Sequence, residues 1–132
     1  MPVQIPASHR DLLSKKALAH LATVTASGAP QVTPVWFDFD GTFIRVNSAR
    51  GRAKDRHMRR DARVALSIVD PDNAYRYLEV GGKVVEISET GADHHIDSLA
   101  KTYMGVDRYP FHRPTETRVI YKIEPLRCFR MG

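Results

Sequence analysis

The feature that most constrains this chain is a series of short segments in which apolar and polar residues alternate, separated by turn-forming residues. Alternation with a period of two predicts half-buried β-strands. Six such segments cover residues 17–25, 31–39, 42–48, 64–69, 75–87 and 118–129. Asp40-Gly41, between the second and third segments, is a strong hairpin signal. The pattern therefore predicts a mainly β fold with short helices, a six-stranded antiparallel barrel, in one domain that spans residues 1–132.

The alternation also predicts which side chains of each strand face the core. The predicted buried sets are Leu18, Ala22 and Val24; Val35, Phe37 and Phe39; Ile44 and Val46; and Val119, Tyr121 and Ile123. Gly81-Gly82 should bend the fifth strand. Three segments are typical of helices: 9–16 with Ser8 as the N-cap, 51–60, and 92–104 ended by Gly105. The last has an apolar face formed by Ile96, Leu99, Ala100 and Tyr103.

Basic residues are concentrated in one segment of the chain. The segment 50–63 contains seven basic residues, five more than its acidic residues Asp55 and Asp61, and so carries the entire formal net charge of +5. A local patch of this kind attracts phosphates, carboxylates or nucleic acid. A solvated helix face rich in arginine is the alternative interpretation.

Several classes of protein are excluded or disfavoured by what the chain lacks. Cys128 is the only cysteine, so no internal disulfide can form, and no apolar run reaches the roughly 20 residues that span a bilayer. We expect a cytoplasmic protein with no membrane partner. The six histidines lack the spacing of a zinc helix, and we expect no metal site. Motifs for Rossmann or Walker nucleotide binding and for a nucleophilic serine are absent.

The end of the third strand and the start of the basic helix together suggest a phosphate site. Asn47 and Ser48 end the strand, and the helix opens with Arg50-Gly51-Arg52-Ala53-Lys54. The first turn of a helix offers free N–H groups and the positive end of its dipole. Arg52 and Lys54 would add two cations there. Trp36 lies opposite the predicted core-facing residues of its strand, so it faces outward or into an interface.

Several stretches resemble the split-barrel oxidoreductases of the pyridoxamine-phosphate-oxidase-like superfamily, in particular the small deazaflavin-dependent group that uses coenzyme F420. The resemblance rests on Leu21-Ala22-Thr23-Val24, Pro34-Val35-Trp36-Phe37, Arg50-Gly51-Arg52-Ala53-Lys54, Val64-Ala65-Leu66-Ser67-Ile68, Asp70-Pro71-Asp72-Asn73, Tyr75-Arg76-Tyr77-Leu78-Glu79 and Arg108-Tyr109-Pro110. These stretches occur in the expected order along nearly the whole chain.

The resemblance implies a six-stranded FMN-binding split barrel and a homodimer with cofactor sites at the subunit interface. It implies hydride transfer from reduced F420 to a conjugated small-molecule acceptor, with FMN as the alternative cofactor, and it assigns no catalytic residue. The implied cofactor-binding residues are Gln31, Thr33, Pro34, Val35, Asn47, Ser48, Arg52, Lys54, Arg56, His57, Tyr75 and Tyr77. Tyr75 and Tyr77 would approach from the other subunit. Trp36, Tyr109 and Phe111 are candidates for the substrate pocket.

Three other functions remain open at the level of the sequence. One is an FMN-binding oxidoreductase of the same fold, and another is a protein that binds a cofactor or tetrapyrrole without catalysis. A nucleic-acid-binding module could use the arginine patch, but the chain has no recognised nucleic-acid-binding motif, and we expect no nucleic-acid partner.

Overall fold

The fold was analysed in a computed structural model, which describes residues 2–132. In chain order the elements are a 3₁₀ helix Ala7–Leu13, β1 Ala19–Val24, β2 Pro30–Val35, β3 Phe37–Phe39, β4 Ile44–Ala49, α1 Ala53–Arg60, β5 Arg63–Asp70, β6 Asn73–Ser88, α2 Ala92–Met104 and β7 Arg118–Met131. The strands pair antiparallel in one sheet of order β2-β1-β5-β6-β7-β4-β3. The prediction of a mainly β, antiparallel split barrel with short helices is confirmed.

The segment around Trp36 closes the sheet on itself. β2 pairs with β1 at one edge and β3 pairs with β4 at the other, yet only Trp36 separates the two strands in sequence. Two residues of chain reach at most about 7 Å, so the two edges must approach each other at Trp36. The single strand predicted over 31–39 is therefore two strands. This is why the sheet has seven strands where the sequence predicted six.

The concave side of the curled sheet holds the main hydrophobic core. Most of the side chains predicted to face the core are buried: Val35, Phe37, Ile44, Val46, Val119, Tyr121 and Ile123. Phe39 is only partly buried and packs against the edge of the cluster. Burial of alternate side chains from nearly every strand in one cluster is what stabilises the barrel.

The predicted buried face of β1 is wrong. Ala19, Leu21 and Thr23 are buried, whereas Leu18 is 43% exposed and precedes the strand. Both faces of this segment are apolar, so the alternation could not choose between them. The choice is made by pairing with β2 and β5, because a shift of one residue exchanges the two faces of a strand.

The first predicted helix also differs from the structure. It is a 3₁₀ helix over Ala7–Leu13, in which Pro6 occupies the N-cap position and makes no side-chain cap. Ser8 lies inside the helix, and its Oγ is 2.8 Å from His9 Nδ1. His9 is buried, with Nε2 2.9 Å from the carbonyl oxygen of Met131. The segment therefore connects the N-terminal region to the last strand.

The other two helices lie close to their predicted bounds. The basic helix α1 begins at Ala53, two residues later than predicted, with Arg52 at the N-cap position. α2 spans Ala92–Met104, buries its predicted apolar face, and ends at Gly105 with φ of 72°. The register of β6 with β7 shifts between Gly81 and Gly82, as predicted. No helix within residues 2–132 has the length and apolar composition of a membrane span.

Candidate anion-binding groove

A groove of about 410 Å³ opens where α1 begins and β4 ends, beside the β2–β3 junction and α2. Its charged or polar lining consists of Asn47, Ser48, Arg52, Lys54 and Arg118, which we call the anion side. Its apolar lining consists of Leu18, Pro34, Val35, Trp36, Ile96, Leu99, Tyr109 and Phe111. This combination suits a ligand that carries an acidic group and a planar ring.

Among the three cations that line the groove, Lys54 has no carboxylate partner within residues 2–132, unlike Arg52 and Arg118. Its side chain is half-buried, and across residues 2–132 no carboxylate or hydrogen-bond acceptor contacts its ammonium group. Burial, and then the charges of Arg52 and Arg118, lower the pKa of Lys54 below its ordinary value. The charge of a bound anion would stabilise the ammonium and oppose this lowering of the pKa, so this position favours an anionic ligand.

The other basic residues of segment 50–63 are mostly neutralised by the fold. Arg50 pairs with Glu89 at 2.6 Å, Arg52 with Glu116 at 2.6 Å, Arg59 with Asp55 at 2.9 Å and Arg63 with Asp61 at 2.6 Å. Glu89 and Glu116 lie outside the segment, so the local count of +5 overstates the free charge. Lys54 is the residue of this segment that lines the groove without a carboxylate partner among residues 2–132, whereas Arg56 and Arg60 lie outside the groove lining.

Ser48 provides a second unsatisfied group on the anion side. Its Oγ is buried and has no hydrogen-bond partner among residues 2–132. A buried hydroxyl without a partner loses hydration and gains nothing in return, unless a ligand supplies the missing bond. A phosphate or polyol oxygen that reached this hydroxyl would supply that partner, so the donor set fits the phosphate-bearing cofactor that the resemblance implies.

Arg118 is the main residue of the groove that the sequence analysis missed. It is buried at the start of β7, where its Nε donates to Asn47 Oδ1 and its Nη1 donates to Glu116 Oε1, each at 2.8 Å. The other oxygen of Glu116 accepts from Arg52 Nη2 at 2.6 Å, so one carboxylate holds both guanidinium groups. The pairing of Ala49 with Arg118 brings it beside the end of β4, and that register is not visible in the sequence.

The Glu116 carboxylate remains ionised in this setting. Burial acts to raise its pKa, but the hydrogen bond and charge of Arg118 and the charge of Arg52 outweigh that effect, and the pKa of Glu116 is lowered. Because Glu116 is anionic, it offsets part of the charge of the two arginines. Lys54 is left as the cation with the most to gain from a ligand.

Aromatic rings form the opposite side of the groove. Trp36 stacks on Tyr103 with ring centroids 5.3 Å apart and planes 6° apart, and Tyr109 meets Trp36 edge-on at 6.1 Å. The Arg118 guanidinium lies 5.2 Å from the centre of the Tyr109 ring. Trp36, expected to face outward or into an interface, is thus partly covered by α2 and the following loop. Phe111 is 60% exposed at the rim of the groove.

A buried carboxylate fixes the turn that carries Arg52. Asp55 accepts hydrogen bonds from the backbone N–H of Gly51 and from Arg59 Nε, both at 2.9 Å, and from the Tyr121 hydroxyl. Burial acts to raise the pKa of Asp55, but these hydrogen bonds and the charge of Arg59 outweigh burial, so the pKa lies below its ordinary value. Gly51 has φ of 89°, which favours glycine at this turn. The turn is therefore held rigidly from inside the barrel.

The structure brings nine of the fifteen candidate site residues together in this groove. They are Pro34, Val35, Asn47, Ser48, Arg52 and Lys54 from the cofactor set and Trp36, Tyr109 and Phe111 from the substrate set. Gln31, Thr33, Arg56, His57, Tyr75 and Tyr77 lie outside the lining. Arg56 donates to the Gly51 carbonyl at 2.5 Å, and His57 is buried with Nδ1 3.0 Å from Thr23 Oγ1. Besides Arg118, the structure adds Leu18, Ile96 and Leu99 to the groove.

Three other features are less suited to bind such a ligand. A recess of about 700 Å³ lies between the N-terminal segment and the β3–β4 turn, but Arg10 is its only basic residue and none of the candidate site residues lines it. Within residues 2–132 no three histidine, cysteine or carboxylate side chains are grouped as metal ligands would be. Cys128 is partly buried against the core, and burial raises the pKa of its thiol. The groove is therefore the better candidate.

Comparison with known proteins is consistent with this geometry. The family described as pyridoxamine 5'-phosphate oxidase matches residues 5–132. A solved structure named as an F420 reductase is 35% identical, with 95% of this chain and 98% of that chain covered and a TM-score of 0.84.

Two further solved structures extend the comparison. A conserved hypothetical protein from Mycobacterium tuberculosis is 25% identical, with 99% of this chain and 86% of that chain covered and a TM-score of 0.78. HupZ from group A Streptococcus is 23% identical, with coverage of 96% and 94% and a TM-score of 0.66. At that identity HupZ shows a shared fold and nothing more.

Proposed function

We propose that this chain, which belongs to the pyridoxamine 5'-phosphate oxidase family, is an oxidoreductase that binds F420 as its cofactor in the groove described above. The observation that carries the proposal is that one groove holds both the half-buried, unpartnered ammonium of Lys54 and the unpartnered hydroxyl of Ser48. The 35% identity to a structure named as an F420 reductase supports the same conclusion.

The residues of the groove divide the work of holding such a cofactor. Lys54, Arg52 and Arg118 would bind its acidic groups, since charge-assisted hydrogen bonds to phosphate are among the strongest in proteins. Ser48 would donate to a phosphate or ribityl oxygen. Pro34 and Val35 at the end of β2 would lie against the ring, and Trp36 and Tyr109 would border the acceptor.

The cations on the anion side suit the phosphate of F420 or of FMN, and the 35% identity to a structure named as an F420 reductase is what favours F420. Three cations surround this part of the groove, and Glu116 offsets only one charge. FMN carries a single phosphate, whereas F420 adds an acidic lactyl-glutamate tail to its phosphate. When bound and reduced, F420 supplies a hydride, which we propose passes to a conjugated small-molecule acceptor. The protein binds and orients the cofactor and the acceptor, and it excludes water from them.

We also propose that the protein is a homodimer in which a second copy covers the outer face of β2, β1 and β5. Val32 is 62% exposed on this face, directly opposite Ala22 in the β1–β2 ladder. Tyr75 is 84% exposed at the start of β6, where it could reach a neighbouring subunit. Light scattering of wild type and Val32→Asp tests this: we expect a dimer that the substitution dissociates, while the control Val85→Asp remains dimeric. A monomeric wild type would contradict the proposal.

The cofactor proposal is tested by fluorescence titration of the purified protein with F420 and with FMN in parallel. We expect tight binding of F420, weak binding of FMN, and oxidation of reduced F420 by at least one conjugated acceptor. The double variant Arg52→Ala with Lys54→Ala should bind F420 at least about a hundredfold less tightly, given roughly 1.5 kcal/mol or more for each charged hydrogen bond.

Arg60→Ala serves as the matched control for this titration. Arg60 lies on the same helix, is exposed, and is not part of the groove lining, so its loss changes the net charge without changing the site. Tight FMN binding with no F420 binding would move the assignment to flavin chemistry. Binding of F420 without turnover across a broad panel of acceptors would favour a cofactor-binding protein.

A further inference from the structure

Behind the groove, a chain of hydrogen bonds leads from Arg118 to α2. Asn47 Oδ1 accepts from Arg118 Nε at 2.8 Å, and Asn47 Nδ2 lies 3.0 Å from the carbonyl oxygen of Ala92 and 3.1 Å from His95 Nδ1. His95 is buried, and its Nε2 is 3.1 Å from Asp38 Oδ2. His95 lies in the turn of α2 that follows Ala92 and does not itself line the groove.

The chemistry of the partners fixes the position of every proton in this chain. Arg118 Nε is only a donor, so the atom of Asn47 that faces it must be the oxygen. The Ala92 carbonyl is only an acceptor, which requires the amide nitrogen on the other side. The second hydrogen of that nitrogen points to His95 Nδ1, which must therefore be unprotonated. The proton of the neutral ring is then on Nε2, where it is donated to Asp38.

We propose that His95 is a positioning residue for the anion side of the groove: as a neutral imidazole it fixes the amide of Asn47 and thereby the guanidinium of Arg118, and as an imidazolium it releases both. The inference rests on the proposed function in one respect, that Arg118 contacts the bound anion.

Protonation of His95 places two donors against each other. The new Nδ1–H would face Asn47 Nδ2, and the amide could restore that bond only by turning over. Its nitrogen would then face Arg118 Nε, again donor against donor. Arg118 would lose the bond that holds it and keep only its contacts to Glu116 and to the Tyr109 ring.

Several charged groups face this ring from neighbouring elements, and they act in opposite directions. The Asp38 carboxylate of β3 favours the imidazolium, but Arg45 of β4 shares that carboxylate through bonds of 2.9 and 2.8 Å. Arg118 of β7, beyond Asn47, disfavours the imidazolium. Asp93, His94 and Asp97 are the titratable residues within two positions of His95 on α2 itself. His112, near the groove, pairs with Asp97 at 3.1 Å, and its protonation would add a cation and favour an anion.

The proposal predicts that anion binding shifts the protonation of His95 in the direction opposite to the one that attraction between charges alone would give. A histidine near an anion site ordinarily gains a proton more readily when the anion binds, because the charges attract. Here the anion requires the neutral ring, so by reciprocity the anion must make protonation of His95 harder. The direction of the change therefore separates a positioning role from a merely electrostatic one.

The experiment uses sulfate as the probe, because sulfate does not titrate between about pH 5 and pH 8, the range in which histidines do. Sulfate affinity of the full chain is measured by NMR titration across this range. In the wild type we expect affinity to fall severalfold toward pH 5. His95→Asn keeps an acceptor facing Asn47 but cannot titrate, so its affinity at pH 8 should be close to wild type and the acid decline should disappear.

Two controls and a second measurement complete the design. His94→Asn changes the adjacent, exposed histidine and should retain the acid decline. Lys54→Ala should bind sulfate at least about tenfold less tightly at every pH, which identifies the site. In the wild type, ring nitrogen shifts of His95 should show its titration midpoint moving to lower pH when sulfate is added. This measurement stands even if His95→Asn does not fold.

The outcomes separate this proposal from the cofactor assignment. An acid decline that persists in His95→Asn, a wild type with no acid decline, or a midpoint that stays constant or moves to higher pH with sulfate would each overturn the positioning role. None of these results depends on which cofactor binds. Conversely, failure of F420 to bind, with the sulfate results as expected, would overturn the cofactor assignment alone.

Discussion

Two clusters of charge in this molecule are built in opposite ways. At one, Arg76 donates to Asp70 at 2.8 Å, to Asp11 at 2.6 Å and to the carbonyl oxygen of Ser8 at 2.6 Å, and Lys15 adds a bond of 3.0 Å to Asp70. A backbone hydrogen bond from Asp72, with those from Arg76 and Lys15, lowers the pKa of Asp70 to about 2. We call this cluster the terminal clamp.

The anion side of the groove shows the reverse arrangement. Lys54 is half-buried next to two arginines without a carboxylate of its own, and Ser48 Oγ is buried without a partner. The terminal clamp satisfies its charges within the chain and so stabilises the fold. The groove leaves charge and hydrogen-bonding capacity unsatisfied, which does not help the fold and is useful only when a ligand is present.

The largest effect should come from substituting Arg118, which lines the groove and is also held by hydrogen bonds to Asn47 and Glu116. Arg118→Met would remove a groove cation and leave Asn47 Oδ1 and the Glu116 carboxylate without their buried partner. We expect affinity for the cofactor to fall about a hundredfold, and thermal stability to fall as well, because truncating one partner of a buried charged pair leaves the other unpaired. Fluorescence titration measures the affinity and thermal unfolding measures the stability. If Arg118→Met bound the cofactor as tightly as the wild type, Arg118 would not be part of the site.

A pair of matched substitutions should separate the clusters most cleanly. Lys54→Met should lower cofactor affinity by about tenfold or more, the value of one charged hydrogen bond, while stability stays the same or rises because a half-buried unpaired charge is removed. Arg76→Met should leave affinity unchanged and lower the unfolding midpoint by several degrees, since Asp70 and Asp11 lose their shared partner. If Lys54→Met were the destabilised variant, the contrast between the clusters would be wrong.

A smaller effect is expected at the hydroxyl. Ser48→Ala should reduce cofactor affinity by about three- to tenfold, in line with the loss of one hydrogen bond from a hydroxyl. Stability should not fall, because the lost hydroxyl has no partner in the free protein. Thr23→Val provides a contrast, since the Thr23 hydroxyl bonds buried His57 and its loss should destabilise the barrel without changing affinity.

The smallest effect should be a pH dependence at the alkaline end. Lys54 must be protonated to bind an anion, and its pKa in the free protein lies below the ordinary value for a lysine. Sulfate affinity should decline as the pH rises through that lowered pKa, with proton uptake on binding in that range. Calorimetry in two buffers of different ionisation enthalpy measures the uptake. Lys54→Met should remove both signals from any residual binding.

The sequence identified much of this arrangement because the residues concerned lie in continuous segments. Asn47-Ser48 and Arg52-Ala53-Lys54 are separated by one short turn, so a strand followed by a helix was enough to bring them together. α2 was equally predictable from the sequence, because its apolar face follows the helical period and Gly105 ends it.

What the sequence could not supply depends on pairing between distant segments. Arg118 joins Asn47 only through the register of β7 with β4, and the buried face of β1 is chosen by its two neighbouring strands. The strand predicted over 31–39 breaks at Trp36 because its halves serve opposite edges of the sheet. Charge counting also overstated the basic patch, since Glu89 and Glu116 reach it from elsewhere in the chain.

The most direct test of the central claim is a crystal structure of the wild-type protein with F420 bound. We predict that phosphate oxygens lie within hydrogen-bonding distance of Lys54 Nζ and Ser48 Oγ, with the ring against the β2–β3 junction near Trp36. A cofactor whose phosphate lies in the recess beside Arg10, or at any position that leaves Lys54 and Ser48 without a partner, would contradict the claim that these two groups are kept unsatisfied for the ligand.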